Sequence, residues 1–546
     1  MRDIGGTVYE SFAASAARWT ERPFLYVTAG TAAAYCLAPH EYTYAEVTGE
    51  VERLRSVYAR AGYGHGHRAG LLLFNRPEFV FHWLALNALG VSVVPINPDW
   101  RADELSFLVG HSEIALAVAP VERHPGLAAS AAAASRRIAL AAPDGTDVAA
   151  PTSTAPSSST APSVASECAL LYTSGTTGRP KGCILPNEYF LWAGHWYAGL
   201  GHLCEIRPGA ERMITPLPLT HMNAMACSTM CMLLTGGCLV AVDRFHPQTW
   251  WDSVRESRAT VMHYLGVMPA MLLAAPPRTT DREHAVRFGF GAGVQPRHHA
   301  AFEERFGLPL IEAWAMTETG AGGVVIANRE PRQVGTACFG RPEERVDYRL
   351  VDGMGHVVPA GDAGELLVRN RGAKPRFGFF AGYLKDDRAT SDAWRGGWFH
   401  TGDLVREDET GQLHFVDRRK NMIRRSGENI SALEVEGVLL QHPAIVAAGV
   451  TGVPDELRGD EVLACLVLGP GGPAGEGADA LARAIVEFCL ARLAYYKAPG
   501  YVAFCATLPH TPTEKIQRGQ LGELGRRLLD EGACVDTRGM KKRLQA

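Results

Sequence analysis

Between Ala69 and Asn97 the chain switches twice between kinds of apolar patterning. AGLLLF from Ala69 is a short unbroken apolar run, EFVFHWLALNALG places apolar residues at helical spacing, and VSVVPIN is a second short run. Strand, helix, strand in that order predicts a parallel α/β unit. Further strand-like runs bounded by turn residues follow, including GCLVAV from Gly237 and GELLVR from Gly364.

The pattern changes after Asp417. Ser431-Ala-Leu-Glu434 reads as a capping box, which starts a helix at Ser431 and leaves Gly427 in the loop before it. IVAAGVTGV and EVLACLVLG read as strands, and Ala478 to Tyr495 reads as an amphipathic helix. These elements compose a small α+β domain of their own, expected over 419–546, after a large domain over 1–418. The length of 546 residues fits more than one domain. Between Asp144 and Glu167, DGTDVAAPTSTAPSSSTAPSVASE is too poor in apolar residues to build a packed element, so it is expected to be an exposed, mobile loop with no assigned function.

Composition narrows the function classes. An apolar fraction of 47% with 21% charged residues is that of an ordinary soluble protein, and a net charge of -4 gives no reason to expect nucleic acid or an anionic membrane as partner. The twelve cysteines include no C-x-x-C pair and no zinc-like cluster, so reduced, mostly buried thiols are expected. The N-terminus carries charges within its first ten residues and lacks an apolar signal core, and no run approaches the roughly 20 apolar residues of a membrane span. A cytoplasmic location is the expectation.

The stretch most suggestive of chemistry is Tyr172–Gly182, YTSGTTGRPKG, which follows the apolar run CALLY. Consecutive glycines and small hydroxyl residues let backbone amides converge on an anion, and Lys181 adds a charge at the loop's exit. A phosphate cradle at a strand end is the functional reading. It is not the P-loop G-x-x-x-x-G-K-[ST], because Pro180 stands five residues after Gly175 and Gly182 follows Lys181. GFGAGV at Gly289–Val294 likewise lacks the third glycine of a dinucleotide fingerprint.

YTSGTTGRPKG closely resembles the signature loop of the adenylate-forming superfamily, which includes acyl-CoA synthetases, adenylation domains and luciferases. The remaining signatures follow in order: ITPLPLTHMNA at Ile214, AWAMTETG at Ala313, GELLVR at Gly364, GGWFHTGDL at Gly396, DRRKNMIRRSGENISALEVE at Asp417, YYKAP at Tyr495 and PTEKIQRG at Pro512. The DRR-x-NMI stretch followed by GEN is most similar to carnitine and crotonobetaine-type CoA ligases. The resemblance implies an α/β fold whose large N-terminal domain combines parallel-type sheets with a β-barrel-like part, and a small mobile α+β C-terminal domain. It also implies two half-reactions: a carboxylic acid attacks ATP to give acyl-AMP and pyrophosphate, then the thiol of coenzyme A displaces AMP.

By that resemblance, Thr173, Ser174, Gly175, Thr176, Thr177, Gly178 and Lys181 hold the ATP phosphates. Glu318 binds Mg²⁺, which takes one or two carboxylates with phosphate and water oxygens, and Thr317 contacts the α-phosphate. Asp403 accepts from the ribose hydroxyls, and Arg418 donates to the sugar or to phosphate. Gly291, Ala292, Gly293, Trp314, Ala315 and Met316 flank the nucleotide, with Trp314 either a flat surface beside adenine or a core aromatic. Lys515 bridges the substrate carboxylate and the α-phosphate in the first half-reaction.

The same resemblance implies that the small domain turns about a hinge at Lys420 between the half-reactions, which brings Gly427 and Glu428 to the pantetheine arm of coenzyme A. His221, Met222 and Asn223 are implied to line the acyl side, opposite Gly266, Val267 and Val294. His221 would gate the site or orient the carboxylate, or else be a packed histidine.

Three departures from the family pattern stand out. Ala315 replaces a common glycine, Trp314 a common tyrosine, and Asp417 the usual glycine before the arginine; they bear on substrate identity more than on reaction class. The alternative acceptor is a phosphopantetheine carrier protein or a partner enzyme. An amino-acid-activating version is disfavoured because LTHMNA lacks the aspartate that would pair a substrate amine, and a luciferase-like oxygenase shares the adenylation motifs. A non-catalytic nucleotide-binding protein fits poorly with Lys515, Glu318, Asp403 and Arg418 occurring together. Self-association into a homo-oligomer is left open.

Overall fold

The computed structural model describes residues 5–153, 161–173, 180–418, 422–469, 476–509 and 516–542. The first apolar runs form the strands Arg68–Leu71 and Ser92–Pro95 about the helix Pro77–Ala88, with Ala69 paired to Val93 in parallel register. Pro77 fits the first helical turn, where its missing N–H costs nothing and its fixed φ suits the helix. Apolar residues on all sides of this helix make it part of the core rather than a surface element.

Two large sheets organise the greater part of the chain. One has seven strands, running from Gly382–Tyr383 through Lys181–Pro186, Glu167–Thr173, Ser92–Pro95, Arg68–Leu71 and Leu116–Val118 to Ala139–Ala141. The other has eight, and at its heart Arg212–Thr215, Val261–Leu265, Phe288–Ala292 and Leu310–Trp314 run parallel. The β-rich part is a five-stranded sheet of Cys338–Gly340, Leu413–Arg418, Phe399–Glu407, Ala363–Asn370 and Val346–Val351, with antiparallel pairing in the registers described.

The chain divides into two compact units. The first comprises Met1–Pro98, Val109–Leu171 and Gly182–Asp417; the second comprises Asp99–Leu108, Tyr172–Lys181 and Arg418–Ala546. In the second unit, Ile445–Asp455 and Gly459–Leu468 pair antiparallel over their length, and Gly459–Leu468 also pairs in parallel with Tyr501–Phe504. Ser431 caps the helix Ala432–Leu439 by accepting the Glu434 N–H at 3.4 Å. Only half of the expected capping box forms, because the Glu434 carboxylate turns to Lys497 Nζ at 2.8 Å.

Two expectations are corrected. The helix read to Tyr495 spans Glu476–Leu490 instead, and beyond it the Ala494 N–H donates to Glu104 Oε2 at 2.9 Å while Lys497 Nζ pairs with Glu104 Oε1 at 2.5 Å. A buried ion pair has taken over from a helical turn that Pro499 could not have extended far. The segment read as a mobile loop, of which residues 154–160 lie outside the described residues, is fastened where described: Arg53 donates to the Asp144 carbonyl at 2.8 Å, Tyr63 Oη to that of Ala149 at 3.0 Å and His67 Nε2 to that of Ser153 at 3.0 Å, while His82 Nε2 donates to the Pro143 carbonyl just ahead of it at 2.8 Å. Low apolar content argued for mobility, but main-chain carbonyls supply anchors, joined by the Thr152 hydroxyl donating to the Arg137 carbonyl at 2.7 Å.

Nine of the twelve thiols are buried and all twelve are free. Among the described residues no helix is long and apolar enough to cross a membrane.

Candidate active site

In the first unit, three neighbouring parallel strands end together. Val261–Leu265 leads into Gly266, Phe288–Ala292 into Gly293 and Val294, and Leu310–Trp314 into Ala315, Met316, Thr317 and Glu318. Ligands of open α/β sheets bind beyond such carboxyl ends. The backbones there touch: the Gly266 N–H donates to the Ala292 carbonyl at 3.0 Å, and a Cβ on Gly266 would lie 1.6 Å from the Gly293 oxygen. Gly293, at φ 78°, bends the chain back on itself. Gly293 and Ala315 are exposed and Ala292 is half-buried.

Glu312 fixes this turn from below. Its buried carboxylate accepts from the Gly293 N–H at 2.8 Å, the Val294 N–H at 3.2 Å and the Tyr264 hydroxyl at 2.5 Å. An acceptor-only group with three donors around it holds the loop without needing a cation.

Trp314 and Asp403 meet directly, although 89 residues separate them, through an indole Nε1 to Oδ2 bond of 2.9 Å. Trp314 is buried and tilts against Phe339, so the indole is part of the packed frame. Asp403 is 2% exposed and its own N–H donates to Thr401 Oγ1 at 3.1 Å. A carboxylate has about four acceptor directions, and the indole takes one of them.

Glu318 is 6% exposed, and its Oε1 accepts from the Tyr383 hydroxyl at 2.9 Å. Tyr383 belongs to the edge strand Gly382–Tyr383, paired to Cys183 of the strand that leaves the glycine-rich loop. Burial, followed by the Glu318 charge, raises the Tyr383 phenol above its ordinary range, so it remains a donor at neutral pH. The Thr317 carbonyl accepts from Tyr189 Oη at 2.9 Å, and the Phe380 N–H donates to the Glu318 carbonyl at 3.0 Å, which pins this turn from two sides. Among the described residues no group of three or more His, Cys, Asp and Glu is arranged around a metal ion. One oriented carboxylate matches Mg²⁺ that takes its other ligands from phosphate and water.

His221 is half-buried and its N–H donates to the Pro218 carbonyl at 3.0 Å. It stands just ahead of a π-helix, Asn223–Thr229, a rare geometry often found at functional sites. Met222 packs on the main core, while Val267 and Val294 pack in a second apolar cluster. Asn223 Oδ1 lies 2.7 Å from His263 Nδ1, and the Tyr197 hydroxyl lies 2.8 Å from His263 Nε2. His263 is fully buried, and that burial lowers its pKa to about 3, so it is a neutral ring. A hydroxyl donating to Nε2 and an Nδ1–H donating to Asn223 satisfy both nitrogens.

In the second unit, Thr173 ends the strand Glu167–Thr173 and Lys181 begins Lys181–Pro186, neighbours in the seven-stranded sheet. Gly427 and Glu428 lie where the strands Met422–Arg425 and Glu428–Ser431 turn, with Arg425 opposite Glu428. Arg418 closes the strand Leu413–Arg418. Ser174, Gly175, Thr176, Thr177, Gly178, Lys420 and Lys515 lie outside the described residues, as does the side chain of Arg418.

Sequence reasoning missed Glu312, Tyr383 and His263. Glu312 directly precedes AWAMTETG, and a lone glutamate on an apolar strand was a signal that it needed buried donors. Tyr383 and His263 gave none, because a tyrosine in a turn and a histidine in an apolar run have many ordinary roles.

Glycine backbone and Glu318 beyond parallel strand ends, with the oriented carboxylate of Asp403 bonded to Trp314 at one of those ends, define an α/β enzyme shaped for a nucleotide. A family model described as AMP-binding enzyme matches residues 12–384, and one described as AMP-binding enzyme C-terminal domain matches 434–515. The chain belongs to the AMP-binding enzyme family, and with it to the adenylate-forming acid–thiol ligases.

Among curated relatives, the crotonobetaine/carnitine–CoA ligases of Shigella sonnei (strain Ss046) and Escherichia coli O157:H7 are each 30% identical over 501 residues, covering 88% of this chain and 93% of theirs. Among solved structures, a double mutant of o-succinylbenzoate CoA synthetase from Bacillus subtilis superposes with a TM-score of 0.79 at 24% identity, over 95% of this chain and 99% of that one. The amide bond synthetase of Marinactinospora thermotolerans superposes with a TM-score of 0.77 at 24% identity, over 94% and 99%. These two likenesses concern the fold.

Proposed function

We propose that the enzyme activates a carboxylic acid with ATP and passes the acyl group to coenzyme A in the cytoplasm. The observation that carries this reading is a pair of buried, oriented carboxylates, Glu318 just beyond a parallel strand end held by Tyr383, and Asp403 within the strand Phe399–Glu407 held by Trp314. Both are preorganised by neutral donors, so neither geometry depends on a bound ligand to create it.

In the first half-reaction a substrate carboxylate oxygen attacks the α-phosphorus, the bond to the bridging oxygen breaks, and pyrophosphate leaves. Negative charge builds on the phosphoryl oxygens, where the Thr317 hydroxyl donates and Lys515 neutralises. Asp403 holds the ribose, Arg418 the sugar or phosphate, and the glycine-rich loop with Lys181 the outer phosphates. Glu318 would hold Mg²⁺, which supplies charge neutralisation at the phosphates when bound.

In the second half-reaction the thiol sulfur attacks the acyl carbonyl of acyl-AMP and AMP leaves. An arrangement complementary to displacement at phosphorus does not suit attack at carbon. Motion of the small domain about Lys420, bringing Gly427 and Glu428 to the thiol substrate, is the way the two are reconciled. His221, Met222, Asn223, Gly266, Val267 and Val294 line the acid's side of the site.

The coenzyme A acceptor is supported by the names of the curated relatives, which are CoA ligases. The test is a panel of carboxylic acids assayed for pyrophosphate release with and without coenzyme A. Acid-dependent release with stoichiometric thioester is the expected result. Release with no coenzyme A turnover would move the acceptor to a phosphopantetheine carrier protein, and no acid-dependent release at all would overturn the reading.

A further inference from the structure

Glu461 lies buried in the second unit between two cations. Its carboxylate oxygens accept from Arg425 Nε at 2.9 and 2.8 Å, and Oε1 also meets Lys541 Nζ at 2.5 Å. The Arg425 side chain is 1% exposed and those of Glu461 and Lys541 are 0% exposed. Gly500 makes the space, since a Cβ there would come within 2.5 Å of the Glu461 side chain. Burial alone would raise the Glu461 carboxyl, but the Lys541 ammonium and the Arg425 guanidinium together hold it below its usual range.

The two cations reach this carboxylate from distant parts of the sequence. Arg425 ends the strand Met422–Arg425 immediately before the turn Ser426–Gly427, where both residues have positive φ, 50° and 89°. The turn is further tied by the Ser426 N–H to the Arg458 carbonyl at 2.8 Å, and the Arg424 N–H reaches Asp460 Oδ2 at 3.1 Å. Lys541 follows a docked C-terminal stretch. Val535–Asp536 pairs with Tyr501–Phe504, the Thr537 N–H donates to the Gly500 carbonyl at 3.0 Å and its hydroxyl to the Pro499 carbonyl at 3.0 Å.

We infer that Thr537–Lys541 is a positioning segment for the Ser426–Gly427 turn, with Lys541 acting through Glu461 and Arg425 to set that turn for thiol transfer. The thiol-transfer role rests on the proposed function; the coupling of the C-terminal segment to the turn rests on the geometry alone. Removing Lys541 leaves Glu461 its Arg425 partner but deletes the buried donor to Oε1, and Arg425, bonded to both oxygens, shifts as that oxygen finds another donor. Backbone at positive φ on a non-glycine residue such as Ser426 persists only while its surroundings enforce it. Lys541 touches no substrate in this scheme, so its effect appears in one half-reaction and in the mobility of the turn.

The test compares full-length wild type with Lys541→Met, Lys541→Arg and Thr537→Val by amide hydrogen exchange and by the two half-reactions separately. Lys541→Met is expected to speed exchange at the Ser426 amide at least tenfold, with the helix Ala432–Leu439 unchanged. Acid-dependent pyrophosphate exchange should stay within twofold of wild type, while thioester formation from supplied acyl-AMP and coenzyme A falls at least tenfold. Lys541→Arg should restore most of both, and Thr537→Val, which loosens the segment without altering charge, should shift both in the same direction by about threefold. Unchanged exchange at the turn, or equal losses in the two half-reactions, overturns the inference. If Lys541→Met does not fold, Thr537→Val decides by the same criteria. Wild type that transfers no acyl group to coenzyme A would count against the proposed function, while the exchange result still decides the coupling.

Discussion

Trp314 Nε1 donates to Asp403 Oδ2 at 2.9 Å, so the aromatic residue that ends one sheet's strand sets the carboxylate carried by another. Trp314→Phe keeps most of the packing and deletes the donor. Loss of one hydrogen bond to a buried charged group costs about 1–3 kcal/mol, and if Asp403 binds ribose the KM for ATP should rise about tenfold. An unchanged KM for ATP in pyrophosphate exchange would separate Asp403 from nucleotide binding.

Tyr383→Phe removes the hydroxyl that orients Glu318. Outer partners of metal-binding carboxylates are typically worth about 10–100-fold in metal affinity. The Mg²⁺ concentration for half-maximal adenylation should therefore rise by that order, with saturating Mg²⁺ recovering most of the rate. A Mg²⁺ dependence identical to wild type would show that Glu318 is not the metal ligand.

Gly266→Ala places a methyl 1.6 Å from the Gly293 carbonyl, a backbone atom that no rotamer change can clear. Overpacking of this kind costs about 1–3 kcal/mol when side chains can yield, and more when backbone must. The variant should lose several degrees in Tm or fail to accumulate as folded protein. Gly539→Ala, with open space around the new atom, is the matched control and should melt with wild type.

Two buried neutral histidines make stability depend on pH. Burial lowers His82 to about 4 despite the opposing Pro143 carbonyl, and lowers His263 to about 3. Each binds a proton near pH 6.5 in the unfolded chain but not in the folded one. Their contribution is therefore full above about pH 7 and falls as pH drops below 6.5, by up to about 1.4 kcal/mol per pH unit for each histidine. Melting at pH 7.5 and pH 5 should show a marked loss in wild type, and His82→Gln or His263→Gln should each remove part of the difference between the two pH values. A loss of the same size in the double variant would assign the effect to other groups.

Lys515→Ala should abolish acid-dependent pyrophosphate exchange and largely spare coenzyme A attack on supplied acyl-AMP. Gly427→Phe should do the reverse. Equal losses in both half-reactions, in either variant, would show that the two residues do not divide the chemistry.

The strand–helix–strand at Arg68–Pro95 was legible because an unbroken apolar run and a helical repeat cannot be satisfied by the same backbone. The motif runs around Thr317, Glu318 and Asp403 stood out for a different reason: they match the family's signatures in short contiguous segments. What holds those residues was not. Tyr383, Glu312 and His263 act through contacts set by sheet order, which a linear reading does not reveal. The Glu434 side chain shows the same limit, because a valid local cap signal lost its second half to Lys497, 63 residues away.

The stretch from Pro143 to Ser153 is fastened chiefly by four of its carbonyl oxygens, with the Thr152 hydroxyl donating to the Arg137 carbonyl at 2.7 Å and Val148 packed on the core. A tether made of main-chain acceptors is nearly blind to spelling, because every residue brings the same carbonyl. That makes most positions of this stretch tolerant of substitution, Gly145 excepted, since it has a φ of 63° and an added Cβ would lie 2.4 Å from Leu54. Residues compatible with the local backbone could replace most of its letters while His82, Arg53, Tyr63 and His67 go on gripping the same atoms.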